Sequence, residues 1–140
     1  MSAGSLVLRL LDIDRRNTRY LQQIVASIGW PGRSLVGHRG AFAAWLLVQH
    51  ADHDLAFQKR CLELLTAAVA AGDAEAKHVA YLIDRVRVAE GLGQVYGTQC
   101  GADGQPRRTE QPENVDARRT AVGLEPLAAY LATMRTARVR

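Results

Sequence analysis

The stretch "GAFAAWLLVQH", residues 40–50, is apolar almost all round. A helix without a polar face is normally enclosed by other elements, so this run predicts a central helix with further helices packed about it. Its last residues are Gln49 and His50, and Asp52, His53 and Asp54 follow at once. Gln49 shares a helical face with Phe42, Trp45 and Leu46. The pattern therefore predicts an amide and an imidazole held where water is scarce.

The flanking segments carry helical periodicity. Residues 6–28 place Ile13, Tyr20, Leu21, Ile24 and Ile28 on one face, and Gly29 and Pro31 end that helix. "GWPGRSLVG", residues 29–37, reads as a loop in which Pro31 holds Trp30 extended. It lacks the Gly-Lys-Ser/Thr ending of a phosphate-binding loop. Asp52 or Asp54 is placed to cap a helix with Phe57, Cys61, Leu64, Leu65 and Ala68 on its core face and Gln58, Lys59, Arg60 and Glu63 largely opposite. Gly72 stops it, and Asp73 is expected to cap the next helix, with a core face of Val79, Leu82, Ile83 and Val86.

Beyond Gly91 the pattern changes. Alternation in "VYGTQC" and the Asp-Gly of "ADGQ" predict a small irregular β-hairpin at 95–110, with Pro106 confining its second strand to an edge. Two short helices are expected over 112–122 and 125–134. The predicted fold is mainly α, a single compact helical domain over 1–134 with about five helices and one hairpin, then a basic tail at 135–140.

Composition narrows the function classes. The net charge is +4, from 18 basic and 14 acidic residues. Three of those charges, Arg135, Arg138 and Arg140, sit in the predicted tail, whereas a nucleic-acid binder carries a basic stripe across its folded domain. No apolar run approaches the roughly 20 residues of a membrane span, and no signal-peptide pattern opens the chain. These features predict a cytoplasmic protein without a membrane or nucleic-acid partner. Cys61 and Cys100 form no CxxC pair, and His50 and His53 lack a third ligand, so neither metal nor cofactor is expected.

Four local groupings carry possible chemistry. His50 at a helix C-terminus is pulled towards its charged form by the dipole and away from it by burial, which suits proton transfer. The Asp52-His53-Asp54 cluster is read more simply as helix capping. Asp84, beside Arg85, falls at the edge of an apolar helix face and needs a partner, either a histidine to orient or a cation to pair. "YGTQ", residues 96–99, packs a phenol, a hydroxyl and a carboxamide around a glycine, groups that fix a polar ligand by directional hydrogen bonds.

Taken together, "GWPGRSLVG", "AAWLLVQHAD", "YLIDRV", "YGTQ" and "VDARRTAVGLEPLAAYL" resemble a bacterial family known as a domain of unknown function. The resemblance spans roughly residues 14–134. It implies that Trp30, Gly32, Gly37, Gln49, His50, Asp52, Asp84, Arg85, Tyr96, Gly97 and Gln99 belong to the shared pattern. His38 stands where an acidic residue is expected, and Cys100 where a bulkier one is.

The leading expectation is a small, cofactor-independent enzyme using general acid–base chemistry on a small polar molecule, of isomerase, cyclase, lyase or hydrolase type. His50 would transfer the proton and Asp84 would orient it. Trp30, Arg33, Gln49, Arg85, Tyr96, Gln99 and Arg118 would bind the substrate. The alternative is a non-catalytic ligand- or protein-binding module of regulatory, immunity-like or adaptor type, in which the same polar groups form a packing network. A homodimer is compatible with either.

Overall fold

The computed structural model describes residues 2–139. Six α-helices form among them: α1 (Ala3–Ile28), α2 (Arg33–Gln49), α3 (Leu55–Ala70), α4 (Ala76–Ala89), α5 (Val115–Ala121) and α6 (Leu127–Val139). A single 3₁₀ turn, Pro112–Asn114, leads into α5. The chain divides into two compact units, residues 1–74 and 75–140. No helix among the described residues is long and apolar enough to cross a membrane.

The first unit holds α1, α2 and α3. Ser2 caps α1 by accepting from the Ser5 amide, and Gly29, at φ 77°, ends it. Only Thr18, Leu21 and Val25 of α1 are buried. The expected loop at 29–37 is shorter than its composition implied. A first helical turn begins at Arg33, and Gly37, at φ 75° and ψ 176°, breaks α2 into two helical pieces. Nor is α2 enclosed on all sides. Ala41, Ala44, Trp45 and Val48 are buried, while Phe42 and Leu46 remain 50% and 38% exposed. The all-round apolar pattern therefore overstated its burial.

Helix starts in this unit come from carboxylates. Asp54 caps α3 by accepting from the Phe57 amide at 3.0 Å, as its position predicts. Asp73 does not cap α4, whose N-cap is Glu75 without a side-chain bond. It reaches back to α2 instead, accepting from the Ser34 amide at 2.7 Å and the Ser34 hydroxyl at 3.0 Å. The contact requires Gly32: a Cβ there would lie 1.9 Å from an Asp73 carboxylate oxygen.

The second unit holds α4, a long connection, α5 and α6. The predicted β-hairpin at 95–110 does not form. Two isolated bridges, Gln94 with Thr109 and Cys100 with Pro106, are the whole of its β-pairing among the described residues. The reason is chemical. Pro106 has no N–H to give a ladder, and side chains take the backbone groups of 95–99 that a partner strand would have used. Residues 135–139, expected as a tail, continue α6, and Arg140 at its end lies outside the described residues.

Candidate functional site

The centre of the second unit is the carboxylate of Asp84, on α4 and fully buried. Its Oδ1 accepts from the amides of Val95 and Tyr96 at 2.8 and 3.0 Å. Its Oδ2 accepts from the Thr98 amide at 2.9 Å and the Thr98 hydroxyl at 2.8 Å. A carboxylate offers about four acceptor positions, and here the loop fills them. Asp84 therefore has none left with which to orient an imidazole or accept a substrate proton.

The neighbouring polar groups extend the same accounting. Gln94, fully buried, accepts from the Gln99 amide at 2.7 Å and donates to the carbonyls of Gln99 and Arg107, both at 2.9 Å. Arg118 donates through Nε to the Val95 carbonyl at 2.7 Å and through Nη2 to the carbonyls of Glu110 and Gln111. Arg119, fully buried, donates to the carbonyls of Tyr96 and Glu125 at 2.7 and 2.6 Å. The Tyr130 hydroxyl donates to the Thr98 carbonyl at 2.8 Å. Buried backbone groups must find partners; between Val95 and Gln99 they find them in five side chains. Gly97, at φ 68°, supplies the left-handed turn that aims its neighbours' amides inward.

Arg119 is the unusual member. A fully buried guanidinium is costly unless paired and hydrogen-bonded. No carboxylate forms an ion pair with it among the described residues, and its Nη2 has no hydrogen-bond acceptor. Its charge lies 5.0 Å from the centre of the Tyr130 ring, where the π face offsets part of that cost. Burial, with Tyr81 and Cys100 nearby, pushes the Tyr130 phenol above its ordinary range.

Among the residues singled out from the sequence, the structure joins Asp84, Arg85, Tyr96, Gln99 and Arg118 in this network. Arg85 donates to the Gln99 carboxamide oxygen at 3.0 Å, and Gln99 donates to the Thr98 hydroxyl at 3.0 Å. Arg85, Tyr96, Gln99 and Arg118 are half-buried, so they reach the surface, whereas Asp84 does not.

The other four lie in the first unit. His50 is exposed, at the C-cap of α2, where only its backbone N–H serves the helix. The expected buried imidazole is thus in water, because position 50 continues the exposed face of Phe42 and Leu46. Gln49 is 5% exposed and faces inward as expected. Trp30 is half-buried beside Pro31. Arg33 donates to the Gly72 carbonyl at 2.8 Å, and its amide donates to the Asp73 carbonyl, so it closes a backbone clasp.

Sequence reasoning missed Gln58, Gln94 and Arg119, and assigned Asp73 to the wrong helix. Gln58 falls on the charged face of α3 by periodicity, yet it is 1% exposed. Its amide lies 3.1 Å from the Val48 carbonyl, 3.4 Å from that of Gln49 and 3.3 Å from Asp52. The last carbonyls of a helix need outside donors, and Gln58 supplies one for α2. Asp54, besides capping α3, accepts from Gln22 of α1 at 3.0 Å. The polar burst after the apolar run thus ties three helices together. No cluster of three His, Cys, Asp or Glu residues able to hold a metal ion occurs among the described residues.

These features define an all-helical protein with an irregular segment, residues 94–111, held in shape by side chains. The chain belongs to a family of unknown function, DUF6624, whose model matches residues 2–139. Comparison with curated proteins and with solved structures finds no match.

Proposed function

We propose that this protein is a non-catalytic binding module whose recognition surface is the outward face of residues 94–111. The observation that supports this reading is the saturated Asp84 carboxylate. A catalytic carboxylate keeps an acceptor position for the reacting proton or for its histidine, and Asp84 spends all of its positions on the loop. Such extensive anchoring suits a segment whose shape must persist when it meets a partner, because a pre-ordered surface binds without losing conformational entropy.

The partner class follows from what the segment turns outward. Arg107 and Arg108 are exposed, Asp103 and Gln105 flank them, and the half-buried Arg85–Gln99 pair lies beneath. Arg108 is linked to Glu110 at 3.2 Å, with both side chains largely in water. Exposed charges of this kind set specificity and encounter rate at a protein surface. The partner class this supports is a protein whose charges complement the mixed set of Arg107, Arg108, Asp103 and Glu110.

The test compares the full chain with its Arg107→Glu/Arg108→Glu and His50→Ala variants. Each is used to recover partners from cell extract, and the affinity of any recovered partner is then measured with purified components. The reading expects at least a tenfold loss for the double variant and none for His50→Ala. An affinity indifferent to the loop charges would overturn it. So would an assayed turnover that disappears with His50→Ala, which would restore the acid–base enzyme.

A further inference from the structure

The first half of α1 carries apolar surface that no described residue of the first unit covers. Leu6, Val7, Leu10 and Leu11 are 52%, 55%, 52% and 46% exposed, and every residue from 2 to 13 is exposed. Leu8 and Ile13, 66% and 46% exposed, lie to other sides of the helix, but Leu6, Val7, Leu10 and Leu11 share one face. Val7, Leu11, Asp14, Thr18, Leu21 and Val25 follow one another in alternating steps of four and three, which place them on one stripe of a helix. The stripe is buried at Thr18, Leu21 and Val25, at 2%, 1% and 8% exposure, and uncovered at Val7 and Leu11. Leu6 and Leu10 widen its uncovered part. Arg9, Asp12, Arg16 and Arg19 lie largely on the opposite side, and Arg15 borders the stripe next to Leu11.

We propose that this half of α1 pairs with the same half of α1 from a second copy, the two helices running antiparallel about a two-fold axis beside residues 8 and 9. The geometry is self-complementary. With that axis Leu6 faces Leu11 of the other copy, Val7 faces Leu10, and Ala3 faces Asp14. Each of Leu6, Val7, Leu10 and Leu11 meets another of the four, and the overlap ends where each copy's own core begins to cover the stripe. Ala3 and Gly4 are small enough to admit a close approach at the ends.

Charge decides between occupants. Asp14 lies on the apolar stripe and is half-buried. In the antiparallel pair it meets the first turn of the opposite helix, whose amides and positive dipole end favour a carboxylate. A bilayer surface offers no such partner and disfavours a carboxylate among the inserted residues. The area sets the strength. The exposed parts of Leu6, Val7, Leu10 and Leu11 amount to roughly 350 Å² per copy, about 700 Å² for the pair before the flanking small residues are added. That is below a stable interface and fits a weak, concentration-dependent dimer.

Sedimentation velocity of the full chain from about 1 to about 300 μM should show a monomer passing to a dimer. Leu10→Glu should weaken the association at least tenfold, and Asp14→Lys several-fold, with unchanged circular dichroism confirming that both variants fold. A nitroxide placed at exposed Gln23 reports the direction, since the two labels lie about 45 Å apart in the antiparallel pair and about 20–30 Å in a parallel one, where both point away from the interface. A monomer at every concentration, a dimer indifferent to Leu10→Glu, or the short label distance would overturn the proposal. Binding to vesicles of phosphatidylcholine and phosphatidylglycerol by a chain that stays monomeric would overturn it in favour of a lipid surface.

Discussion

Replacing Asp84 by Asn removes one oxygen from the centre of the second unit and leaves the side chain's size unchanged. The two oxygens divide four donors evenly: the Val95 and Tyr96 amides on Oδ1, the Thr98 amide and hydroxyl on Oδ2. An asparagine must turn its NH₂ towards one of these pairs. Turned towards Val95 and Tyr96, it opposes two amides. Turned towards Thr98, it lets the hydroxyl rotate and accept, but the Thr98 amide is left facing a donor. The cheaper orientation loses one charge-assisted hydrogen bond and orphans one buried N–H, roughly 3–5 kcal/mol in all.

Domain stabilities run at about 5–15 kcal/mol, so Asp84→Asn should fold but lie close to the limit. With a urea m value of about 2 kcal/mol/M, the midpoint should fall by roughly 2 M. Urea unfolding followed by circular dichroism reads the midpoint. Hydrogen exchange at Val95, Tyr96 and Thr98 reads the local effect, with protection falling there ahead of α4. A loss under about 1 kcal/mol with those three amides still protected would refute the accounting that assigns Asp84 to the loop.

His50→Ala is expected to change stability by no more than about 0.5 kcal/mol, since its imidazole is exposed and makes no cap bond; the same denaturation assay checks it. Gly32→Ala should cost roughly 1–2 kcal/mol by expelling Asp73 from its cap on Ser34, and it should do so without backbone strain, because φ at Gly32 is −75°. Native protein should present one reactive thiol to an alkylating reagent, the half-buried Cys100. Burial pushes Cys61 up to about 12 and removes its thiolate, so a second equivalent should react only on unfolding. His78, 8% exposed, has its pKa lowered chiefly by burial, against the opposing pull of Glu75 at 3.5 Å. A lowered folded-state value means that stability is full above the unfolded value near 6.5 and falls as pH drops through the folded one. The melting temperature should therefore decline below about pH 6.5, and His78→Phe should flatten that part of the profile.

Much of the helical framework is legible in the residues themselves. Periodicity located α1 and α3, Gly29 and Gly72 marked their ends, and Asp54 was identifiable as a cap because capping is decided within one turn of chain. The stretch from 95 to 110 was misread because alternation and an Asp-Gly turn describe what a backbone can do locally. They do not say where its hydrogen bonds will go. Arg85, Tyr96, Gln99 and Arg118 gather around Asp84, residues the sequence singled out either as a site or as a packing network.

What the sequence determined by itself, then, was the set of helices and the polar residues that stand out against them; the stripe of α1 was misplaced, since Ile13, Tyr20 and Ile28 are exposed and Thr18 and Val25 are buried beside Leu21. Those properties depend on spacings of a few residues. Tertiary structure alone decided that Asp84 and Gln94 would consume the loop's amides, that Gln58 would turn inward to the end of α2, and that His50 would face water. Each of those outcomes depends on which backbone group, ten or more residues away in several cases, is left needing a donor or an acceptor once the helices have packed.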